Sequence, residues 1–478
     1  MSDDSETSGV DTLGVDAPGV DALTRREWLR RGSRLAAGLG VGLTGMGRAA
    51  QAFQETPPPS ERPPSERVVL AAIGVGGMGM SNLRGFLSKP GVEIAAVCDV
   101  DTRHMAAAAQ EVEKRRGRRP AEIKDFRRVL ERRDIDGVIL STPDHWHALP
   151  TILACQAGKD VFCEKPISHN IREGRAMVEA ARRYNRVIQV NTWQRSTQHF
   201  VDAIDYVRSG KLGKINICRA WKVQAPDAAV MGDQGPTAPP SELDYDFWVG
   251  PAAYEPYQEN RCHYKFRWYF NYAGGMTGDW GVHMMDIVLL GMSRDNRLVM
   301  PRRISSHGGK LFVGPKDDRT TPDTQIAVLD FEDWVLHWEV HIGPQRAGQG
   351  LDGGRDHGSL FIGEKGRVLV DRSGWSILDN DNKPVEKPAS TRSVGSRGGE
   401  DNHRIEWLEC LKSRRQPRSD IASMHQTTTV CHLANLAYLS GGTVLWDADH
   451  EVVKNDRKAM DLLPYRRAYR KPCALPRI

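Results

Sequence analysis

The sequence predicts an α/β fold, in which a doubly wound parallel sheet precedes a C-terminal domain with a mainly antiparallel sheet. Short apolar runs alternate with helix-length segments between residues 68 and 190, which is typical of repeated β-α-β units. A glycine-rich turn directly follows the first apolar run. After about residue 192 the chain becomes rich in aromatic residues, proline and glycine, and its strands alternate between apolar and polar residues, as antiparallel strands do.

The first predicted domain occupies residues 67–191. Its strands are apolar almost throughout, as expected where helices cover both faces of a parallel sheet. The predicted strands are residues 68–73, 92–98, 137–140, 160–163 and 187–190, and the helices are residues 102–115, 125–132, 146–157 and 171–184.

The second predicted domain occupies residues 192–478. Its clearest strands are residues 325–331 and 334–341, because apolar and polar residues roughly alternate along both segments. Residues 402–412 and 423–440 are predicted to be helices.

Residues 1–52 resemble a twin-arginine export signal. Arg25 and Arg26 precede a weakly apolar stretch rich in glycine and alanine, and Ala50-Gln51-Ala52 resembles a cleavage site. The stretch is shorter than the roughly 20 apolar residues of a membrane span, so no stable span is expected. The resemblance implies a periplasmic or otherwise exported protein, with a basic helix of a cytoplasmic protein as the alternative. Residues 53–66 are rich in proline, which predicts an extended linker or arm.

The composition argues against a nucleic-acid partner. The 478 residues carry a net charge of only +5, and basic and acidic residues are interleaved without a sustained basic stripe. The eight cysteines include no C-x-x-C pair, so neither a metal site nor a disulfide framework is predicted. A single disulfide in an oxidising compartment remains an alternative.

The glycine-rich turn predicts a dinucleotide site. The first glycine of the G-x-G-x-x-G pattern permits a tight turn, the second admits a pyrophosphate, and the third allows close packing of helix and strand. The helix that follows adds a positive partial charge at its N-terminus. The residues of this turn are Gly74, Val75, Gly76, Gly77, Met78 and Gly79.

Asp99 selects between the two nicotinamide cofactors. It lies twenty residues beyond Gly79, at the end of the second predicted strand. A carboxylate at that position can accept hydrogen bonds from ribose hydroxyls and repels a 2′-phosphate, which favours NAD. Arg103 lies close enough in sequence to keep NADP as an alternative.

Two further polar segments follow predicted strands, at residues 141–147 and 163–166. Open α/β sheets bind ligands at the carboxyl ends of their strands, where both segments lie. Lys165 could stabilise an alkoxide or a polarised carbonyl there. A solvated lysine that precedes a helix is the alternative interpretation.

These motifs together resemble those of the Gfo/Idh/MocA oxidoreductases, named for glucose-fructose oxidoreductase and inositol dehydrogenase. The resemblance implies an N-terminal Rossmann domain and a C-terminal α/β domain whose large, open, mainly antiparallel sheet forms homo-oligomers. Beside the glycine-rich turn it rests on Thr142, Pro143 and His147, on Glu164-Lys165-Pro166, and on residues 274–283. Thr142, Pro143, His147 and Glu164 are expected to contact the cofactor.

The resemblance also implies a catalytic trio of Lys165, Asp279 and His283. Asp279 and His283 are four residues apart, so on a helix they would share one face. His283 would remove a hydroxyl proton, Asp279 would orient the imidazole or share its proton, and Lys165 would stabilise charge on the oxygen. A buried structural histidine is one alternative, and a metal site with the flanking carboxylates is a weaker one.

Substrate contacts are expected from aromatic and polar residues outside the first domain. Aromatic faces beside hydrogen-bond donors suit a sugar, although the same aromatic residues could belong to the core. The predicted contacts are Trp193, Arg195, His263, Tyr264 and Trp268.

The sequence therefore predicts an enzyme that transfers hydride between a sugar or polyol and a tightly held NAD, with NADP as an alternative. Export in the folded state favours a cofactor that is loaded beforehand and retained. A glycosidase or lyase that uses bound NAD transiently is the alternative, although the motif around the catalytic residues of the α-N-acetylgalactosaminidase branch is absent. A non-catalytic nucleotide-binding protein is less favoured, because Lys165, Asp279 and His283 are all present.

Overall fold

The structure of the protein is a computed structural model that describes residues 67–226, 230–293, 298–343, 355–381, 383–386 and 395–478. The resemblance to an export signal and the proline-rich linker fall outside these residues. Within the described part, no helix has both the length and the apolar character that crossing a membrane requires.

The first sheet has six parallel strands, five of which the sequence predicts; the short strand Ala121–Glu122 is the additional one. Its strands are β1 (Val68–Ile73), β2 (Val92–Cys98), β3 (Ala121–Glu122), β4 (Gly137–Leu140), β5 (Asp160–Cys163) and β6 (Ile188–Val190). The order β3-β2-β1-β4-β5-β6 places the change of winding direction between β1 and β4. Doubly wound sheets bind their ligands at such a switch point.

The β1 strand is apolar throughout because its side chains are packed on both faces of the sheet. Leu70 and Ala72 pack into one core cluster, whereas Ala71 and Ile73 pack into another. Successive side chains of a strand point to opposite faces, so both faces of this sheet are covered. The covering helices are α1 (Gly77–Leu87), α2 (Thr102–Arg116), α3 (Phe126–Leu130), α4 (Ala148–Gln156) and α5 (Ile171–Arg183).

The second sheet has ten strands and is mainly antiparallel. The strands are β7 (Ile215–Gln224), β8 (Arg303–Gly309), β9 (Thr324–Asp330), β10 (Val335–Ile342), β11 (His357–Gly363), β12 (Gly366–Asp371), β13 (Gly374–Leu378), β14 (Pro384–Glu386), β15 (Val444–Asp447) and β16 (Val452–Val453). Their order is β14-β13-β12-β11-β7-β10-β9-β8-β15-β16. In the described part β7 and β10 pair in parallel and the other neighbours pair antiparallel. The predicted α/β fold class is confirmed.

The helices of the second domain pack on its sheet or reach back to the first domain. They are α6 (Gln198–Arg208), α7 (Tyr245–Val249), α8 (Gly275–Asp279), α9 (Gly281–Met292), α10 (Gly395–Ser413) and α11 (Ile421–Ser440). Trp407 of α10 is fully buried, with its ring 5.5 Å from Phe86 and 5.6 Å from Phe162. The predicted boundary at residue 191 thus separates the two sheets, while α10 completes the core of the first domain.

Candidate active site

A cavity of about 300 Å³ lies at the carboxyl ends of the first sheet. Residues from the glycine-rich turn and from the segments after β2, β4 and β5 form one side. The second domain contributes Phe247, Trp248, Tyr264, Arg267 and Asp279. This volume and the position between two domains are typical of small-molecule sites.

The glycine-rich turn has the backbone that a pyrophosphate site requires. Gly74 has a φ of +78°, and a Cβ atom there would lie 2.8 Å from the backbone of Ser141 and Thr142. A Cβ atom at Gly79 would lie 1.9 Å from the main-chain oxygen of Gly74. Gly76, at the N-cap of α1, provides no side-chain acceptor for the first N–H groups of the helix. These groups can therefore donate to an anion.

Asp99 is held at the end of β2 by two main-chain donors. Its Oδ2 accepts from the Val75 N–H at 2.8 Å, and its Oδ1 accepts from the Asp101 N–H at 2.9 Å. A carboxylate has about four acceptor sites, so two remain for ribose hydroxyls. Arg103, which would favour NADP, donates instead to both oxygens of Asp101, at 3.2 and 2.8 Å.

His263 lines the cavity at its Asp99 end, and its predicted contact with substrate stays a prediction. Its Nε2 is 3.0 Å from Oδ2 of Asp101, and its ring lies 4.4 Å from that of His104. His104 is in turn 3.8 Å from Asp99. The ligand atoms of Asp101, His104 and His263 lie within 4.8 Å of one another, a spacing compatible with a metal ion. However, Asp101 already accepts hydrogen bonds from Arg103. We therefore interpret Asp101, His104 and His263 as a contact between the two domains at this end of the cavity.

Glu164 organises the floor of the cavity. Its buried Oε1 accepts from the side-chain amides of Asn82 at 2.7 Å and of Asn191 at 2.6 Å. Its Oε2 accepts from the main-chain N–H of Lys165 at 3.2 Å. Sequence reasoning missed Asn82 and Asn191, whose only signal was a position on α1 and directly after β6.

The loop after β4 supplies two cavity residues and one structural histidine. Thr142 and Pro143 line the cavity, and in the described part the buried Oγ1 of Thr142 has no hydrogen-bond partner. His147 is buried, with Nδ1 2.6 Å from the Pro166 oxygen and Nε2 2.7 Å from the Thr142 oxygen. It therefore ties two loops together, which corrects the expectation that it touches the cofactor.

Lys165 and Asp279 form an ion pair within the cavity. The Lys165 Nζ lies 2.6 Å from Oδ1 of Asp279. Burial opposes ionisation of Asp279, but the charges of Lys165 and Arg267 lower its pKa to about 2. Asp279 is therefore ionised at neutral pH, and it holds an ammonium group where oxygen charge can be stabilised.

The predicted pairing of Asp279 with His283 stays a prediction. Trp280 separates α8 from α9, so the two residues lie on different helices, and the described contacts of Asp279 are with Lys165 and Arg267. His283 is buried, and its Nδ1 has no partner among the described groups. Burial and the nearby charges of Arg372 and Lys165 hold the pKa of His283 well below its usual value. The imidazole is therefore neutral at neutral pH.

Asp144 is a cavity residue that sequence reasoning missed. It lies in the T-P-x-x-x-H loop, directly after Pro143, and its side chain is buried against the cavity. Burial raises the pKa of Asp144 to about 7, although the charge of Lys165 opposes the rise. A carboxyl group with such a pKa can exchange protons near neutral pH.

The predicted aromatic contacts occupy different environments. Tyr264 is exposed and lines the cavity, with the Arg267 guanidinium 4.2 Å from its ring centre. Trp193 is buried with Arg372 over its ring. Trp268 is buried with the Arg319 guanidinium over its ring, and lies outside the set of residues that lines the cavity. Trp268 therefore belongs to the hydrophobic core, which was the alternative to a substrate contact.

Arg195 belongs to the core, which corrects its prediction as a substrate contact. Its Nε donates to Oδ2 of Asp286 at 2.8 Å, and its Nη2 lies 2.5 Å from Oδ1 of the same residue. Its Nη1 donates to the Arg418 oxygen and to the Ser423 hydroxyl, both at 2.8 Å. All three nitrogen atoms are thus engaged inside the protein, with Arg195 and Asp286 almost completely buried.

The fold and the site define a dinucleotide-binding protein with a Rossmann domain and a second α/β domain. Residues 68–192 match the model of an oxidoreductase family with an NAD-binding Rossmann fold. Residues 219–308 match the model of the C-terminal α/β domain of that family. Both matched segments thus resemble domains of the Gfo/Idh/MocA oxidoreductases, and the first of them is an NAD-binding Rossmann fold.

Relatives with assigned activities match part of the chain. An α-N-acetylgalactosaminidase from Shewanella oneidensis is 29% identical over 203 residues, which cover 40% of this chain and 44% of the relative. An inositol 2-dehydrogenase from Rubrobacter xylanophilus is 32% identical over 161 residues, which cover 33% of this chain and 44% of the relative. The chain thus matches less than half of the length of these relatives.

Solved structures share the fold over most of the chain. The WlbA dehydrogenase from Bordetella pertussis, in complex with NADH and UDP-GlcNAcA, has a TM-score of 0.59 and 16% identity. The comparison covers 80% of this chain and all of that structure. An oxidoreductase domain protein from Kribbella flavida has a TM-score of 0.58 and 20% identity, over 79% of this chain and 98% of that structure.

Proposed function

We propose that the protein is an NAD-dependent oxidoreductase that acts on a hydroxyl group of a sugar or polyol. The observation that carries the proposal is the Lys165–Asp279 ion pair, which lies in the same cavity as the glycine-rich turn. The nicotinamide, when bound, accepts a hydride from the carbon that carries the hydroxyl. An inositol 2-dehydrogenase among the partial relatives supports a polyol or sugar as substrate.

Three side chains would stabilise the substrate oxygen and remove its proton. Lys165 donates a hydrogen bond to the substrate oxygen and stabilises its charge as the hydroxyl proton leaves. Asp279 holds the ammonium group in place. His283 is the proposed proton acceptor, because its imidazole is neutral and its Nδ1 lacks a partner among the described residues.

The proposal is tested with purified full-length protein. Mass spectrometry identifies the nucleotide that copurifies or binds, and the loaded protein is then incubated with sugars, polyols and glycosides. Formation of a keto-sugar with an equal amount of NADH supports the proposal. Absence of any bound or bindable nucleotide would refute it.

A second candidate is a glycosidase that uses bound NAD transiently. The partial match to an α-N-acetylgalactosaminidase favours it, because that relative has a glycoside as substrate. Oxidation of a ring hydroxyl makes the neighbouring C–H acidic, which allows the aglycone to leave by elimination. Addition of water across the new double bond, followed by return of the hydride to the ketone, would complete the cycle. Release of an aglycone without net NADH would identify this activity.

We also propose that the protein is exported by the twin-arginine route with its cofactor already bound. Arg25 and Arg26, the weakly apolar stretch and Ala50-Gln51-Ala52 support this proposal. Fractionation of cells that express the full chain should locate the protein outside the cytoplasm. Replacement of both arginines by lysine should retain it in the cytoplasm.

We further propose that the exposed face of the second sheet forms a homo-oligomer. Ile217 lies on β7, and Ile326 and Val328 lie on β9 at the other side of β10; each is more than 40% exposed. Apolar residues grouped in this way favour an interface. Light scattering should give a molecular mass that is a multiple of the monomer mass. Val328→Asp should lower this molecular mass.

A further inference from the structure

We propose that Arg372 binds a carboxylate group of the substrate, so that the substrate is an acidic sugar or polyol such as a uronic or aldonic acid. The proposal rests on the proposed oxidoreductase function and names its substrate class. Arg372 lies in the turn between β12 and β13, in a part of the second sheet that sequence reasoning did not connect with the site.

Two tryptophans hold the Arg372 side chain. The central guanidinium carbon lies 4.4 Å from the ring centre of Trp280 and 5.0 Å from that of Trp193. Stacking on indole rings stabilises the positive charge and leaves the N–H groups at the edge of the guanidinium free to donate. Nε and Nη2 each lie 3.4 Å from Oε1 of Gln194, which is a long contact with a neutral acceptor.

Arg372 has no carboxylate partner of its own within 4.0 Å among the residues that the structure describes. Three carboxylates act on its charge from further away, and each is already paired with another cation. Asp279 pairs with Lys165, Asp356 with Lys222, and Glu400 with Arg404. The cluster therefore has an excess of positive charge, which an anionic ligand would balance.

Trp280, which directly follows Asp279, connects the cluster to the proposed reacting groups, while neither Arg372 nor Trp280 is among the residues that line the cavity. Trp280 stands between Asp279 and His283 in the chain, and Arg372 acts electrostatically on both of these residues. Burial lowers the pKa of Arg372 to about 10, so the guanidinium stays charged at neutral pH. A guanidinium edge matches the two oxygens of a carboxylate, which would fix both the position and the orientation of a sugar.

The test compares acidic sugars with their neutral counterparts on NAD-loaded protein. Glucuronate is paired with glucose, galacturonate with galactose, and glucose 6-phosphate is included as a different anion. Wild type should oxidise an acid in preference to its neutral counterpart. Arg372→Gln should raise KM for the acid about 10- to 100-fold and KM for the neutral sugar less than about 3-fold, because one charged hydrogen-bonding partner is lost. The KM of Arg372→Lys for the acid should lie between those of wild type and Arg372→Gln.

Arg303→Gln is the matched control, because it removes an exposed arginine from β8 of the same sheet. Equal effects of Arg372→Gln on acidic and neutral sugars, or a preference of wild type for neutral sugars, would overturn the proposal and leave the oxidoreductase function intact. An Arg372-dependent preference for the sugar phosphate would overturn the carboxylate assignment. If no sugar is oxidised, the proposed function fails, and calorimetry of uronate binding to wild type and Arg372→Gln decides the proposal separately.

Discussion

The Lys165 ammonium group donates to both the carboxylate and the main-chain oxygen of Asp279, at 2.6 and 3.1 Å. Lys165 follows β5 of the first domain, and Asp279 ends α8 of the second. The ion pair that would act on substrate thus exists only while the two domains are in contact. Both domains must therefore be correctly placed before the site can work.

Lys165→Ala should lower kcat by at least about 100-fold, because an oxygen charge would lose its main stabilising group. The affinity for NAD should change by less than about 3-fold, since the glycine-rich turn is unaffected. Steady-state kinetics and calorimetry measure the two quantities. Lys454→Ala is the control, because Lys454 pairs with Asp447 at the surface. Equal loss of turnover and NAD affinity would contradict the role of Lys165.

Gly76→Ala should weaken NAD binding while the protein remains folded. An added Cβ atom would lie 3.0 Å from Nδ1 of the half-buried His104, which can move, but it would occupy the approach to the pyrophosphate. We expect the Kd for NAD to rise about 10-fold or more. Gly442→Ala, where a Cβ atom meets nothing within 4 Å, is the matched control. An unchanged Kd would place the pyrophosphate elsewhere.

His263→Ala should accelerate NAD release. The contact of His263 with Asp101 and His104 joins the two domains at the Asp99 end of the cavity. Loss of such a contact acts mainly on dissociation, so the rate constant for NAD release should rise about 10-fold. Stopped-flow displacement of NADH measures it, with the exposed His450→Ala as control. If the release rates are the same, the contact does not retain the cofactor.

Asp144→Asn should change how stability depends on pH. The pKa of Asp144 is about 7 in the folded protein, against about 3.9 in an unfolded chain. Between these pH values the folded protein keeps a proton that the unfolded chain loses. This group therefore lowers the free energy of unfolding by up to about 1.4 kcal/mol per pH unit as pH rises.

Asn carries no such proton, so the stability of Asp144→Asn relative to wild type should increase from pH 4 to pH 7. Urea unfolding of the NAD-free protein at several pH values measures the difference. Asp381→Asn, which removes an exposed carboxylate, is the control. A pH-independent difference would mean that Asp144 has an ordinary pKa.

Arg195→Met should destabilise the fold by about 3–5 kcal/mol, because it leaves the buried Asp286 carboxylate without its cation. Replacing Asp286 by Leu in the same protein should recover part of this loss. Thermal unfolding measures both effects. A large rise in substrate KM with unchanged stability would restore Arg195 as a substrate contact.

The sequence was sufficient for features that depend on neighbouring residues. The apolar runs predicted the strands of the first sheet, because a strand covered on both faces leaves little room for polar residues. The glycine-rich turn was recognisable, because backbone contacts at Gly74 and Gly79 exclude a side chain. The four-residue spacing of Asp279 and His283 is less informative, because it predicts a shared face only along an unbroken helix, and Trp280 interrupts this one.

Features that depend on distant partners were not predictable from the sequence. The sequence does not distinguish Arg195 from a surface arginine, because its partner Asp286 is 91 residues away in the chain. His263 meets Asp101 across 162 residues. Arg372 gave no signal, because its surroundings come from three separate segments of the chain. Aromatic residues beside hydrogen-bond donors suggested a sugar site, but such residues also occur in the core, as Trp268 does.

The position of Trp407 has a consequence for synthesis on the ribosome. Its indole fills the first domain between Phe86 and Phe162, although it is made more than 200 residues after the last strand of that sheet. While the chain is growing, this apolar pocket has no occupant and is open to chaperones. Final closure of the nucleotide-binding core thus waits until nearly the whole chain has left the ribosome.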